Sequence, residues 1–218
     1  HVDVLAIAVM SATKREAEPA AEALAVIAGS RPELIQQNHV NALAIATEKK
    51  VASAIEALTV IAKSRPELLK PSQIDALAEA ARKGVKQATQ ALGEIAESKP
   101  ELIGQSHVDT LMSIAEKGDE LAAYTLTKIA KLSERHLKML LKHVDVLIRA
   151  TKGGNSATAE VLAQVVSLLV EKRLPIPEEA IDALVLAAVR GVDSAGEALT
   201  AIVRSRPGLI KAEHMDIL

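Results

Sequence analysis

Apolar residues recur along this chain at the spacing of amphipathic helices, and the pattern appears six times. In the second helix of each repeat, called helix B, a leucine has apolar residues one and four positions before it and three and four after it. Residues at this spacing share one face of a helix. The anchor leucines of helix B are Leu24, Leu58, Leu92, Leu126, Leu162 and Leu199. The first helix, helix A, carries its own leucine series: Leu5, Leu43, Leu77, Leu111, Leu147, Leu184 and Leu218.

A short proline-containing peptide follows helix B in four repeats. It reads Ser-Arg-Pro-Glu-Leu at 30–34 and 64–68, Ser-Lys-Pro-Glu-Leu at 98–102 and Ser-Arg-Pro-Gly-Leu at 205–209. Proline lacks an amide N–H and clashes with the preceding helical turn, so each proline is expected to end helix B. The following leucine is expected to turn the connection back onto the core. The first three copies are 34 residues apart, a period typical of stacked helical repeats.

These patterns predict an all-α protein, a right-handed α-solenoid of about six two-helix repeats of 34–38 residues, forming one domain over 1–218. Two helices in so few residues leave no room for strands. Four extra residues are expected between the helices near 13–19, and His136 is expected in a loop of the fourth unit. The predicted units are 1–38, 39–72, 73–106, 107–142, 143–179 and 180–213, with a seventh beginning at 214–218. We also expect the protein to extend in both directions, or its ends to self-associate.

Composition narrows the function classes. The chain has 218 residues, of which 49% are hydrophobic, yet it contains no Phe, no Trp and one Tyr, and its net charge is −2. This charge gives no strong pull toward nucleic acid or anionic membranes. The absence of cysteine excludes disulfides and thiolate metal sites and fits an intracellular setting, or delivery into a host cell. No apolar run is long enough to span a bilayer, so no membrane partner is expected.

Residues that could carry chemistry have simpler interpretations. Five histidines share one phase of helix A, but stacked helices lie about 8–10 Å apart, whereas zinc needs ligands at about 2 Å. No metal site is therefore predicted at His1, His39, His107, His143 and His214. The aspartates near the starts of the A helices are predicted to stabilise helix N-termini, in capping boxes that begin at Ser72 and Ser106. The chain has no His-Glu-x-x-His, Gly-x-Ser-x-Gly or phosphate-loop motif, so we expect neither an enzyme nor a cofactor.

A mostly acidic series lies two residues before the helix-B anchors. It comprises Glu22, Glu56, Gln90, Tyr124, Glu160 and Glu197. If this series lines the inner surface of the solenoid, it favours a basic peptide or protein as the partner. Tyr124, the one aromatic residue, is expected to be exposed and would be a natural contact point for that partner. The alternative is an ordinary solvated helix face.

Two segments resemble known repeat families. Gly-Val-Lys-Gln-Ala-Thr-Gln-Ala-Leu at 84–92 is similar to Gly-Gly-Lys-Gln-Ala-Leu-Glu-Thr-Val of transcription activator-like effector repeats, and Leu-Ala-Ile-Ala-Thr at 43–47 is similar to their Val-Ala-Ile-Ala-Ser. The turn Lys117-Gly118-Asp119 resembles turns of bacterial HEAT-type repeats. Both resemblances imply two-helix repeats. The effector resemblance also implies DNA contacts from the turn between helices A and B, at 48–49 and 82–83.

DNA is therefore the alternative partner, bound through cations of the turns between helices A and B. The candidates are Lys49, Lys50, Arg82, Lys83, Lys86, Lys117, Lys152 and Arg190. Acidic residues share the same turns, which leaves this edge only mildly basic, whereas DNA-binding proteins usually carry a dedicated basic stripe. A non-enzymatic scaffold for a protein or peptide is thus the leading prediction. A third hypothesis, an artificial consensus repeat protein, is disfavoured by the drift in unit length.

Overall fold

The computed structural model describes residues 1–11 and 13–217, with side chains described as far as His214. This part of the chain contains helices and turns but no strand, and the predicted all-α repeat fold is confirmed. Its fourteen α-helices are α1 (Val2–Ser11), α2 (Lys14–Ser30), α3 (Gln37–Glu48), α4 (Ala52–Ser64), α5 (Pro71–Arg82), α6 (Lys86–Ser98), α7 (Gln105–Ala115), α8 (Glu120–Leu132), α9 (Glu134–Leu141), α10 (Val144–Lys152), α11 (Ser156–Glu171), α12 (Glu178–Val189), α13 (Asp193–Ser205) and α14 (Ala212–Ile217).

The chain divides into two compact units, His1–Leu111 and Met112–Leu218. In the first unit the A helices pack in chain order, α1 on α3 and α3 on α5, while the B helices pack as α2 on α4 and α4 on α6. In the second unit the A helices pack as α10 on α12 and α12 on α14, and the B helices as α8 on α11 and α11 on α13. Each unit is therefore a two-layer stack of helices. The single domain over 1–218 stays a prediction.

The core of both stacks is built on the predicted helix-B anchors. Five of the six anchor leucines are completely buried, and Leu199 is 4% exposed. The residue four positions before each anchor is small and buried, for example Ala54 and Ala88. Small residues at this position let neighbouring helices approach closely, which compensates for the missing aromatic side chains.

The proline peptides form four short 3-10 helices after the B helices: Pro32–Leu34, Pro66–Leu68, Pro100–Leu102 and Pro207–Leu209. The residue that returns the chain to the core lies one position later than the predicted leucine. Leu34 is 38% exposed, whereas Ile35 is 1% exposed. The arginine of the peptide links neighbouring repeats, because Arg65 Nη1 donates to the Pro32 carbonyl oxygen at 3.0 Å.

Three A helices, α3, α5 and α7, begin two residues earlier than predicted, at Gln37, Pro71 and Gln105. The predicted capping boxes at Ser72 and Ser106 are therefore wrong. In α5 the capping residue is Lys70, whose amide N–H donates to Gln73 Oε1 at 2.9 Å. In α7 the amide of Gly104 donates to Nδ1 of the buried His107 at 3.0 Å.

His39 and His214, two of the histidines that share one phase of helix A, join successive repeats. His39 Nε2 lies 2.9 Å from Asp3 Oδ1, and His214 Nε2 lies 3.0 Å from Asp182 Oδ1 in the second unit. Both histidines also accept a backbone N–H at Nδ1, from Gln36 and Lys211 respectively. Each ring therefore caps its own helix and holds the A helix of the preceding repeat.

The fourth repeat, predicted at 107–142, contains a third helix in addition to helices A and B. The segment predicted as a loop around His136 is the helix α9, which begins after Ser133. Ser133 Oγ accepts the His136 amide N–H at 3.4 Å and lies 2.7 Å from His136 Nδ1. Leu137 and Leu140 are completely buried, so α9 contributes to the core in place of a proline peptide.

The four extra residues near 13–19 do not form a connection. They add one turn to the start of α2, which has 17 residues where α4 has 13. Thr13 precedes this turn, and its amide and hydroxyl both donate to Glu16 Oε2, at 3.0 and 2.8 Å. Pro19 lies inside α2, one residue after the position at which the other B helices begin.

Candidate binding surface of the B helices

The helix-B ladder is the series Glu22, Glu56 and Gln90 in the first unit and Tyr124, Glu160 and Glu197 in the second. A residue two positions before an anchor lies about 200° around the helix from it, on the opposite face. The anchors are buried, and all six ladder residues are exposed, as predicted. The ladder therefore lies on the solvent-exposed face of each stack of B helices.

In the first unit two ladder residues border an open cleft between α4 and α6. The first cleft has a volume of about 510 Å³. Glu56 and Gln90 line it together with the apolar side chains of Ile55, Val60 and Ala91. The cleft thus combines an apolar surface with polar groups, as ligand-binding clefts commonly do.

An ion pair joins the two helices along this cleft. Lys63 Nζ of α4 lies 2.7 Å from Glu94 Oε2 of α6, and Gln90 Nε2 donates to Glu94 Oε1 at 3.0 Å. The charge of Glu94 is thus balanced by Lys63 within the cleft. Glu56 is the remaining charged residue of the cleft lining.

In the second unit a smaller cleft lies across α8, α11 and α13. This second cleft has a volume of about 210 Å³. It is lined by Thr127, Glu160, Ala163, Gln164, Ser167, Ser194 and Glu197. Partial desolvation raises the pKa of the Glu160 carboxyl, and the nearby charge of Glu120 adds to this effect. The lining carries two carboxylates and no cationic side chain.

Tyr124 is exposed, as predicted, with 57% of its surface accessible. Its neighbours Ala123, Thr125 and Leu126 are buried, so the tyrosine ring lies outside the core. Lys128 Nζ lies 5.3 Å from the ring centroid, within the range of a cation–π contact. The ring is thus held on the surface of α8 and remains accessible.

Two of the turn cations assigned to the DNA alternative cap the helix A of the preceding repeat. Lys49 Nζ donates to the Met10 carbonyl oxygen at 2.8 Å. Arg190 Nη1 donates to the carbonyl oxygens of Thr151 and Lys152 at 3.2 and 3.0 Å. Cations at the C-terminus of a helix satisfy its unpaired carbonyl groups and interact favourably with its dipole.

Three further turn cations have acidic partners. Glu79 pairs with Arg82 at 2.8 Å and with Lys83 at 3.2 Å, and these hydrogen bonds lower the pKa of the Glu79 carboxyl to about 2. Lys152 Nζ lies 3.5 Å from Asp182 Oδ2. The remaining members of the set, Lys50, Lys86 and Lys117, are exposed. Five of the eight turn cations are therefore engaged in contacts within their own unit.

Sequence reasoning missed a turn residue with the same capping role. Asn155 Nδ2 donates to the carbonyl oxygens of Ala115 and Glu116 at 3.2 and 2.9 Å, while its Oδ1 accepts the Thr158 amide N–H at 3.1 Å. One side chain thereby caps the end of α7 and the start of α11. An asparagine directly before a predicted B helix is a typical N-cap signal, but its contact with α7 depends on the stacking.

Comparison with known proteins does not indicate a function, so the surface of the B helices is the basis for proposing one. No protein-family model and no curated protein matches the chain. A crystal structure of an engineered protein aligns with a TM-score of 0.48 and 21% sequence identity, covering 100% of this chain and 94% of that one. A likeness at this level carries no conclusion about what the chain binds.

Proposed function

We propose that this chain is a non-enzymatic scaffold of HEAT-like helical repeats that binds a basic peptide or protein segment along the helix-B ladder. The observation that carries the proposal is the coincidence of the ladder with both clefts. Glu56 and Gln90 line the first cleft, and Glu160 and Glu197 line the second. A repeated acidic surface with clefts between its helices suits a partner that presents basic side chains. An intracellular setting is proposed with this function.

The charge of the ladder supports a cationic partner. In the first cleft Lys63 balances Glu94, which leaves Glu56 to attract a cation. In the second cleft both charged lining residues are carboxylates. Exposed carboxylates raise the rate of association with a cationic partner, and this effect weakens as ionic strength increases.

The turn edge gives the DNA alternative less support. Lys49 and Arg190 donate to helix carbonyl groups, and Arg82 pairs with Glu79. Duplex DNA binding at physiological salt usually requires several cations that neutralise phosphates together. DNA therefore ranks below a basic peptide as the partner.

The proposal is tested by selecting peptides from a random display library and measuring the binding of the selected peptides by fluorescence anisotropy. We expect selected peptides to be rich in Arg or Lys, and Glu56→Lys and Glu160→Lys to weaken binding about tenfold or more, corresponding to about 1.4 kcal/mol each. Glu179→Lys, an exposed charge reversal on the A helix α12 and therefore off the helix-B ladder, is the matched control.

Two outcomes would overturn the proposal. One is a set of selected peptides whose binding is insensitive to both ladder variants. The other is sequence-dependent binding to duplex DNA at physiological salt that is lost in Lys50→Glu or Lys117→Glu, which would establish the DNA alternative.

A further inference from the structure

We propose that the second cleft, across α8, α11 and α13, is a pocket for a single guanidinium or ammonium group of the partner. This inference rests on the proposed function and specifies which unit recognises a basic side chain. The pocket is formed by Glu160 and Glu197 on neighbouring B helices, with the hydroxyl groups of Thr127, Ser167 and Ser194 around them.

The lining is matched to a cation by its chemistry. It supplies carboxylate and hydroxyl oxygens as acceptors and contains no cationic side chain to neutralise them. Bringing a carboxylate into a partly desolvated site costs free energy unless an opposite charge accompanies it. A guanidinium group supplies five N–H donors in a planar arrangement, and an ammonium group supplies three, so either can serve several of these acceptors at once.

The Ser194 hydroxyl is an independent sign of a missing partner. Ser194 Oγ is buried in the wall of the cleft and has no hydrogen-bond partner within the described residues. Buried hydroxyl groups are nearly always satisfied, and an unsatisfied one is costly. Rotation of the Ser194 side chain toward the cleft would bring this oxygen within reach of a donor from a ligand there.

The corresponding position in the first unit shows how such a serine is satisfied. Ser53 Oγ donates to Glu18 Oε2 at 2.6 Å, and Glu18 also accepts the amide N–H groups of Ala52 and Ser53 at 3.1 Å. Glu18 belongs to the preceding B helix, α2, and thus occupies the space between helices. In the second unit the residue at the equivalent place is the short Ser156, which has no carboxylate, and Ser194 Oγ has no hydrogen-bond partner within the described residues.

The size of the cleft favours one side chain over a longer segment. Its volume of about 210 Å³ is below the roughly 300–1,000 Å³ that is usual for drug-sized ligands. The second cleft is therefore expected to anchor one basic residue, while the larger first cleft has room for a longer stretch of chain.

The test titrates the isotopically labelled chain with N-acetyl-arginine methylamide and follows backbone amide NMR shifts. We expect saturable shifts at Ser194, Glu197 and Gln164 with millimolar affinity, and shifts at least about fivefold smaller with the neutral citrulline analogue, because citrulline lacks the positive charge that pairs with the two carboxylates. The double variant Glu160→Gln/Glu197→Gln should abolish saturation, Ser194→Ala should weaken binding, and the control Glu179→Gln on α12 should change neither. Spermidine, a free polyamine, should compete if any ammonium group is accepted and should fail to compete if the site requires a guanidinium.

Equal shifts with arginine and citrulline, or no saturable shift with arginine, would overturn the pocket. Retained saturation in the double variant, with its circular dichroism unchanged, would do the same. These results leave the proposed function standing if library-selected peptides still depend on Glu56. Conversely, arginine saturation of the second cleft without any selected peptide would support the pocket and contradict the longer interface.

Discussion

His107 Nε2 lies 2.9 Å from Asp75 Oδ1, so the histidine that caps α7 also binds the A helix of the preceding repeat. Its Nδ1 accepts the Gly104 amide N–H at 3.0 Å, which places the ring proton of the neutral histidine on Nε2, toward the aspartate. In the preceding repeat Gln73 makes the same two contacts, accepting the Lys70 amide at Oε1 and donating from Nε2 to Asn41 Oδ1 at 3.1 Å. His–Asp and Gln–Asn are thus two solutions to one structural requirement.

The first prediction concerns this pair. His107→Ala leaves the Gly104 N–H without its acceptor and should lower the free energy of unfolding by about 1–3 kcal/mol. His107→Gln should lower the free energy of unfolding much less. Combining it with Asp75→Asn should restore most of the stability that His107→Gln loses, because this pair reproduces Gln73 and Asn41. Urea denaturation followed by circular dichroism measures the three values. Equal losses for Ala and Gln would show that packing of the ring, rather than its hydrogen bonds, stabilises the helix start.

A second prediction concerns the backbone of Lys50. This residue has φ of 60°, while Gly84, Gly118, Gly154 and Gly191 occupy the same turn position in other repeats with φ between 84° and 94°. A non-glycine residue in this conformation is strained by about 1 kcal/mol or more. Lys50→Gly should therefore raise the midpoint of thermal unfolding, whereas the reverse control Gly84→Lys should lower it. A decrease on Lys50→Gly would mean that the lysine side chain contributes more than its backbone strain.

The third prediction separates surface from core on α8. Because Tyr124 is 57% exposed, Tyr124→Ala should change the free energy of unfolding by less than about 0.5 kcal/mol. Leu126→Ala, two residues away and completely buried, should cost about 2–5 kcal/mol. Chemical denaturation of both variants provides the comparison. A large loss for Tyr124→Ala would contradict the assignment of the ladder face.

A fourth prediction is the titration of Glu79. Its hydrogen bonds to Arg82 and Lys83 lower its pKa from the ordinary 4.5 to about 2 in the folded protein. Since the folded pKa is below the unfolded one, this stabilisation is complete above pH 4.5 and is lost as the pH falls toward 2. Carboxyl carbon NMR should report the low pKa, and Arg82→Gln should shift it upward. An unshifted Glu79 would indicate that these surface pairs do not persist in solution.

Much of the fold was predictable because it depends on periodicity. Leu58 and Leu92 identify their helix faces from spacing alone, and the exposure of Tyr124 follows from the same phase. The starts of the A helices were misplaced because Ser72 and Ser106 resemble capping residues. In fact the side chains of Gln73 and His107 cap these helices, because each accepts the amide N–H of the residue three positions before it.

The remaining errors concern contacts that spacing cannot reveal. The α9 helix was missed because it replaces the proline peptide that identified the other connections, although Ser133 followed by Glu134 fits a helix start. The engagement of Lys49 and Arg190 with carbonyl groups of preceding helices depends on how repeats stack. The resemblance of two segments to effector repeats, together with the charge of the turns, suggested DNA contacts. The two clefts likewise arise from side-chain sizes on neighbouring B helices, which a ladder of single positions does not specify.

The most direct test of the central claim is amide chemical-shift mapping with a library-selected basic peptide at physiological salt. Binding along the helix-B ladder predicts that the largest shifts fall near Glu22, Glu56 and Gln90 in the first unit and near Tyr124, Glu160 and Glu197 in the second. The helix A–B turns around Lys50 and Lys117 should remain unchanged. Shifts confined to those turns, or scattered without relation to the ladder, would contradict the account.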